Sequence, residues 1–250
     1  MPPQPPVESL QHHAGREGAF PPTRWSLVVR AAGPDDTQAR RALGELLQGY
    51  WQPLYVFARR SGLPTADADD AVQSFCATLL RRETLQSADP TRGRLRSFLL
   101  TAFRNHLRNA HRDRRRERRG GSAEVVHLDA DKTPLELALT DGLSPDAAFE
   151  RRWVLTLLER VLARLRAEYE ARRRGEVFSK LEPLLTWGGG ETPYAEIAAS
   201  VGLTEAAIQQ AVKRMRSRYR ELLEEEIGQT VDDSTSIIEE RDYLIRVLTR

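Results

Sequence analysis

One cysteine among 250 residues excludes two classes of protein at once. Cys76 has no partner for an internal disulfide, and no zinc site can be built on cysteine ligands. Set in an apolar pattern, it reads as a small buried hydrophobe. Long apolar runs are missing too, and nothing approaches the roughly 18 residues of a membrane span. The start, MPPQPPVESLQHHAG, has neither a cationic nor an apolar leader region, so no signal peptide is expected and the chain reads as cytoplasmic. Its proline content predicts a disordered lead-in over 1–22. Strand-like alternation is scarce, and the sequence has no internal repeat. The triple glycine at 188–190 lacks the Lys-Ser/Thr of a phosphate cradle.

Net charge is also small, at +2. That balance hides segregation. Residues 92–119 hold eleven arginines against Asp113 and Glu117, a local charge of +9, and residues 122–150 hold seven acids against Lys132, a local charge of −6. A basic block followed by an acidic one reads as an interaction surface and a solvated spacer.

What is present is helical periodicity. Leu43, Leu46, Leu47, Trp51, Leu54, Tyr55 and Ala58 predict a helix over about 36–60, which Pro53 should kink or split. Thr65 can cap a helix to about 82, with Asp67, Asp69 and Asp70 in its first turn and Ala71, Val72, Phe75, Leu79 and Leu80 inward. In RGRLRSFLLTAFRNHLRN, residues 92–109, the inward face is Leu95, Phe98, Leu99, Ala102, Phe103 and Leu107. Its other face carries Ser97, Thr101, Arg104, Asn105 and Arg108. Residues 120–145 lack periodicity and read as a linker. Phe149, Trp153, Leu157, Leu158, Val161, Leu162 and Leu165 then mark a long helix, followed by a shorter one in VFSKLEPLLTW. The expected fold is all-α: two small helical modules, 23–119 and 146–229, on a flexible acidic linker, with an extension over 230–250. In that extension Ser236 and Glu239 can form a capping box, and Ile237, Arg241, Leu244 and Leu248, joined by Ile238 and Ile245, predict a helix over about 237–249.

TPYAEIAASVGLTEAAIQQAVKRMRSRYRELL carries the most specific pattern. Thr192 can cap a first helix opened by Pro193, and Ala198 is small where two helices cross. Gly202 can take the left-handed turn, Thr204 can cap the second helix, and Ile208 can fill the angle between them. This is the helix-turn-helix arrangement, whose second helix reads the DNA major groove. With Ile208, Val212 and Met215 inward, the DNA-facing candidates are Thr204, Ala206, Gln209, Gln210, Lys213 and Arg214. Gln can pair with adenine and Lys with guanine or phosphate, while Arg216 and Arg218 add charge for the backbone.

Taken together, the chain resembles the extracytoplasmic-function group of bacterial RNA polymerase sigma factors. ADADDAVQSFCATLL resembles the family's second conserved region, DPTRGRLRSFLLTAFRNHLRN its promoter-reading loop and helix, and the helix-turn-helix its fourth region. A longer connection ahead of the helix-turn-helix and the tail after it resemble an atypical subgroup. The resemblance implies that Asp69, Asp70, Gln73 and Ser74 bind polymerase core. It implies that Arg92, Arg94, Arg96, Arg104, Asn105 and Arg108 engage the opened promoter strand, with Arg92, Arg94, Arg96 and Arg108 on phosphate and Arg104 and Asn105 near the bases. Implied partners are the core clamp and flap and promoter DNA, with an anti-sigma protein as a further candidate. No membrane, metal or cofactor is expected, and the location is nucleoid-associated.

Two other functions fit less of the chain. A helix-turn-helix regulator that ignores core polymerase explains residues 192–222 but not the DADDAVQSF helix or the RGRLRSF loop. An enzyme would need Asp69 and Asp70 as a carboxylate pair, yet adjacent helical residues point about 100° apart. His106, His111 and His127 show no ligand spacing, and His12 and His13 lie in the lead-in.

Overall fold

A computed structural model of the chain describes residue 28 and residues 37–80, 94–118, 142–185, 194–230 and 234–249. The lead-in, Arg92, Thr192, Pro193, Trp187 and nearly all of the expected linker lie outside the described residues. Among those described, regular structure is helical and no strand occurs.

The helix expected over 36–60 is two helices, α1 (Thr37–Gln48) and α2 (Trp51–Arg60). The break precedes Pro53. Proline falls in the first turn of α2, where a missing amide costs no intrahelical bond. The Tyr50 amide donates to Leu47 O at 2.9 Å, and Leu54 N–H donates to Tyr50 O at 3.0 Å. In α3 (Thr65–Leu80), the Ala68 amide donates to Pro64 O at 2.9 Å, so Thr65 lies inside the first turn rather than capping it. α4 runs from Leu95 to Arg118.

Three phenylalanines tie these helices together. Phe103 of α4 meets Phe75 of α3 at 5.1 Å between ring centres and Phe57 of α2 edge-on at 6.0 Å. Leu95, Leu99, Leu100 and Phe103 are all buried, so the periodic face of α4 is its anchor.

α5 (Pro145–Ala171) starts with Pro145 at its first position, and the Ala147 amide donates to Ser144 Oγ at 3.3 Å. Phe149, Trp153, Leu157, Val161 and Leu165 form its buried row, with Val154 and Thr156 buried beside it. Covered on more than one side, α5 packs against α2 as well as against the helices that follow. The two expected modules therefore share one continuous apolar core among the described residues.

After α5 come α6 (Gly175–Leu181) and a 3-10 turn (Glu182–Leu184), where one helix was expected. Tyr169 and Arg166 of α5 hold Phe178, and Arg166 pairs with Glu182 at 2.8 Å. α7 (Tyr194–Val201) and α8 (Glu205–Gly228) follow, and then α9 (Ser234–Leu248).

α9 differs from its expected form. It begins before Ser236, which therefore lies inside the helix and not at the head of a Ser236–Glu239 capping box. The side expected to pack carried Ile237, Arg241, Leu244 and Leu248, joined by Ile238 and Ile245. The side that packs carries Glu240, Leu244 and Val247, while Ile238, Ile245 and Leu248 are exposed. The rotation brings Glu240 onto arginines of the first module.

Candidate nucleic-acid interface

The outer face of α4 divides into an open half and an occupied half. On the open half, Asn105 and Arg108 are exposed. With Arg104, Arg112, His111 and Phe57 they line a cleft of about 890 Å³. Arg104 lies 5.7 Å from the centre of the Phe57 ring and pairs with Asp146 in the first turn of α5. Arg112 donates to Asn109 Oδ1. The cleft has guanidinium groups and amides, which can hold a single strand by contacts to phosphates and base edges, while the Phe57 ring at its floor is buried with Arg104 over it.

On the occupied half, Arg94 and Arg96 meet the acid of α9. Arg94 Nη1 lies 2.5 Å from Glu240 Oε2, and Arg96 pairs with Glu240 Oε1. Arg96 Nε also donates to Glu150 Oε2 of α5 at 3.1 Å. The Arg96 guanidinium lies over two rings, 4.6 Å from the ring centre of Trp153 and 4.5 Å from that of Tyr243. Burial works against its charge, but the carboxylates of Glu240 and Glu150 outweigh burial and hold the guanidinium above its ordinary range. Burial, reinforced by Glu150, pushes the Tyr243 hydroxyl up to about 12, so it stays neutral. Only 4% of Arg96 and none of Glu240 reaches solvent. In this arrangement Arg96 is not presented to phosphate.

The polar row of α3 borders α4. Asp70, Gln73 and Ser74 are exposed and Asp69 is half-buried, one helical stripe beside the buried Val72, Phe75 and Leu79. Ser74 Oγ sits 2.8 Å from His106 Nε2 on α4.

Far along the chain, α7 and α8 meet at Gly202, whose φ is +66°. The Ala207 amide donates to Thr204 Oγ1 at 3.2 Å, which caps α8. Ile208, Val212 and Met215 are buried, with Ala198 opposite in α7. Ala206, Gln209, Gln210, Lys213 and Arg214 are exposed, as the spacing requires. Arg216 and Arg218 are used internally. Arg216 donates to Leu184 O at 2.7 Å, and Arg218 pairs with Glu168 of α5 at 2.7 Å.

The Sigma-70 region 2 family model matches residues 46–117, from the end of α1 through α4. This supports a sigma-70 family sigma factor. Region 2 is the part that binds RNA polymerase core and promoter −10 DNA. Both the α3 row and the α4 cleft lie inside the matched stretch; α5 to α9 lie outside it. No curated protein and no solved structure matches the chain significantly.

Sequence reasoning gave the exposed rows of α3 and α8 and the buried face of α4, but missed Glu240, Glu150, Trp153 and Tyr243 around Arg94 and Arg96. No described helix is long and apolar enough to cross a membrane. No group of three or more possible metal ligands gathers among the described residues.

Proposed function

We propose that this chain is a sigma factor of the extracytoplasmic-function group, in an atypical subgroup with a C-terminal extension. It has no chemistry of its own. It binds polymerase core through Asp69, Asp70, Gln73 and Ser74 and holds the opened promoter strand in the α4 cleft through Arg104, Asn105 and Arg108. Arg92, Arg94 and Arg96 serve phosphates on the same strand, the latter two only when Glu240 is displaced from them. α7 and α8 act as a helix-turn-helix that reads a distal element with Thr204, Ala206, Gln209, Gln210, Lys213 and Arg214.

The observation that carries this reading is the combination on α4: an apolar face locked by Phe57, Phe75 and Phe103, and an outer face of amide and guanidinium groups on an open cleft. A reader of single strand needs such rigid support. The location follows the partners, polymerase and the nucleoid, and an anti-sigma protein would have the exposed row of α3 as one surface to cover.

Run-off transcription with purified core polymerase on genomic fragments tests the proposal. Promoter-dependent starts that need the chain are expected. On those promoters, Asn105→Ala should reduce permanganate reactivity of the opened strand. Gln209→Ala or Lys213→Ala should instead weaken distal binding by about 1–3 kcal/mol. DNA binding without any association with core would leave a helix-turn-helix regulator in its place.

A further inference from the structure

Three of the six residues assigned to strand binding in the first module, Arg94, Arg96 and Arg104, are ion-paired to acids from outside that module. The acids are Glu240 for Arg94, Glu240 and Glu150 for Arg96, and Asp146 for Arg104. A carboxylate offers a guanidinium the same fork that a phosphate offers. We propose that α9 is an intramolecular lock on the promoter-reading face, with Glu240 in the position a DNA phosphate must take. Nucleic acid binds by displacing it.

The packing of α9 suits release. A helix of 15 residues does not persist alone in water and depends on what it docks against. Its apolar contribution to the core is confined to Leu244 and Val247, with Ile237 and Tyr243 partly covered. At the centre of this seat is Glu240, a fully buried carboxylate. An apolar side chain of similar volume there would commonly hold as well or better, because desolvating an ion pair cancels much of its attraction. A buried acid makes the docking depend on two arginines, which a competing anion can claim.

The second feature is shared contact. Tyr243 of α9 lies 4.5 Å from Arg96 and 5.5 Å from Arg94, while Trp153 of α5 lies 4.6 Å from Arg96. Undocking α9 removes one aromatic face and one carboxylate together, freeing Arg94 and uncovering Arg96 in a single step. Glu150 and Trp153 stay behind on α5, so Arg96 keeps a partner and the core is not left with an isolated charge.

The inference rests on the strand-binding role proposed for α4, and its test separates the two. Full-length protein, Glu240→Gln and Val247→Asp are compared by hydrogen exchange and by titration with a fluorescent single-stranded oligonucleotide of about 20 nucleotides. Glu240→Gln removes the charge. Val247→Asp puts a carboxylate into the buried apolar seat at the other end of the helix and leaves Glu240 intact. Both variants are expected to lose amide protection over 237–248 while α2 to α5 stay protected. Both should bind the oligonucleotide about tenfold more tightly, as when roughly a tenth of the molecules are open at rest. Saturating oligonucleotide should likewise deprotect α9 in the unsubstituted protein. The lock is overturned if α9 remains protected in the oligonucleotide complex, or if the variants undock α9 and bind no more tightly. If none of the three proteins binds the oligonucleotide, the strand-binding role of α4 falls, and the lock with it.

Discussion

Ser74 Oγ on α3 and His106 Nε2 on α4 are 2.8 Å apart. His106 also stacks on Phe103 at 6.4 Å and tilts against Phe75 at 5.6 Å. The exposed row on α3 and the amide-bearing face of α4 are thus joined by one polar contact lying over the aromatic cluster. A partner gripping α3 would hold α4 in a fixed orientation.

That row is the proposed polymerase surface, and it can be changed without touching the core. Asp70 and Gln73 are exposed, whereas Val72, Phe75 and Leu79 hold the module. Asp70→Arg with Gln73→Ala is expected to abolish association with core polymerase at unchanged helicity. Co-purification with core checks it, and wild-type yield of the complex would remove α3 from the interface.

Phe103 should be among the costliest residues to truncate. It is fully buried and touches Phe57 and Phe75 as well as His106. Phe103→Ala removes a ring shared by three helices, and such changes cost about 3–5 kcal/mol. Urea unfolding by circular dichroism should show a loss of that size. A loss under 1 kcal/mol would mean that α4 is held by something other than this cluster.

The inward faces carrying Phe75 and Phe103 were legible in the sequence, because an apolar residue every third or fourth position defines a face before any partner is known. Phe57 was not among the residues expected inward. The capped turn at Thr204 was legible for a similar reason, each signal lying within a few residues of the next. The pairing of Arg96 with Glu240 was not. It spans 144 positions, and no local rule links charges so far apart. One cue existed: Glu240 falls three residues after Ile237 and four before Leu244, an acid on an inward stripe. An acid there is buried only when paired, so it announces a cation from elsewhere in the fold. The split at Tyr50 was half legible, since Pro53 marks a break but sits comfortably inside the first turn after it.

Cys76 gives a pH prediction. Burial pushes its thiol up from an ordinary 9.0 to about 11. The folded state favours the neutral thiol, so nothing is lost below pH 9. As pH rises from 9 towards 11 the unfolded chain ionises first, and stability falls across that window. At neutral pH the folded protein holds roughly a hundredfold less thiolate than the unfolded chain. Alkylation by iodoacetamide at pH 8 should be slower than in urea by a comparable factor. Rates within threefold of each other would show the thiol to be open.

The two glycines Gly202 and Gly44 should respond oppositely to the same substitution. Gly202 joins α7 to α8 at φ +66°, in the left-handed region that a side chain disfavours. A Cβ at that position would meet nothing within 4 Å, so the cost of alanine there is one of backbone conformation alone. Gly202→Ala is expected to lose about 1–2 kcal/mol. Gly44 lies within α1, is exposed, and also leaves a Cβ clear of every neighbour. There alanine suits the helix and restricts the unfolded chain, so Gly44→Ala should gain about 0.5–1 kcal/mol. Both changes are read from the urea midpoint at constant slope. Gly202→Ala should also weaken binding to promoter duplex, because Thr204, Gln209 and Lys213 are aimed by that turn, whereas Gly44→Ala should leave it unchanged. Equal and small effects at both positions would contradict the turn geometry, since only a strained backbone distinguishes two otherwise open sites.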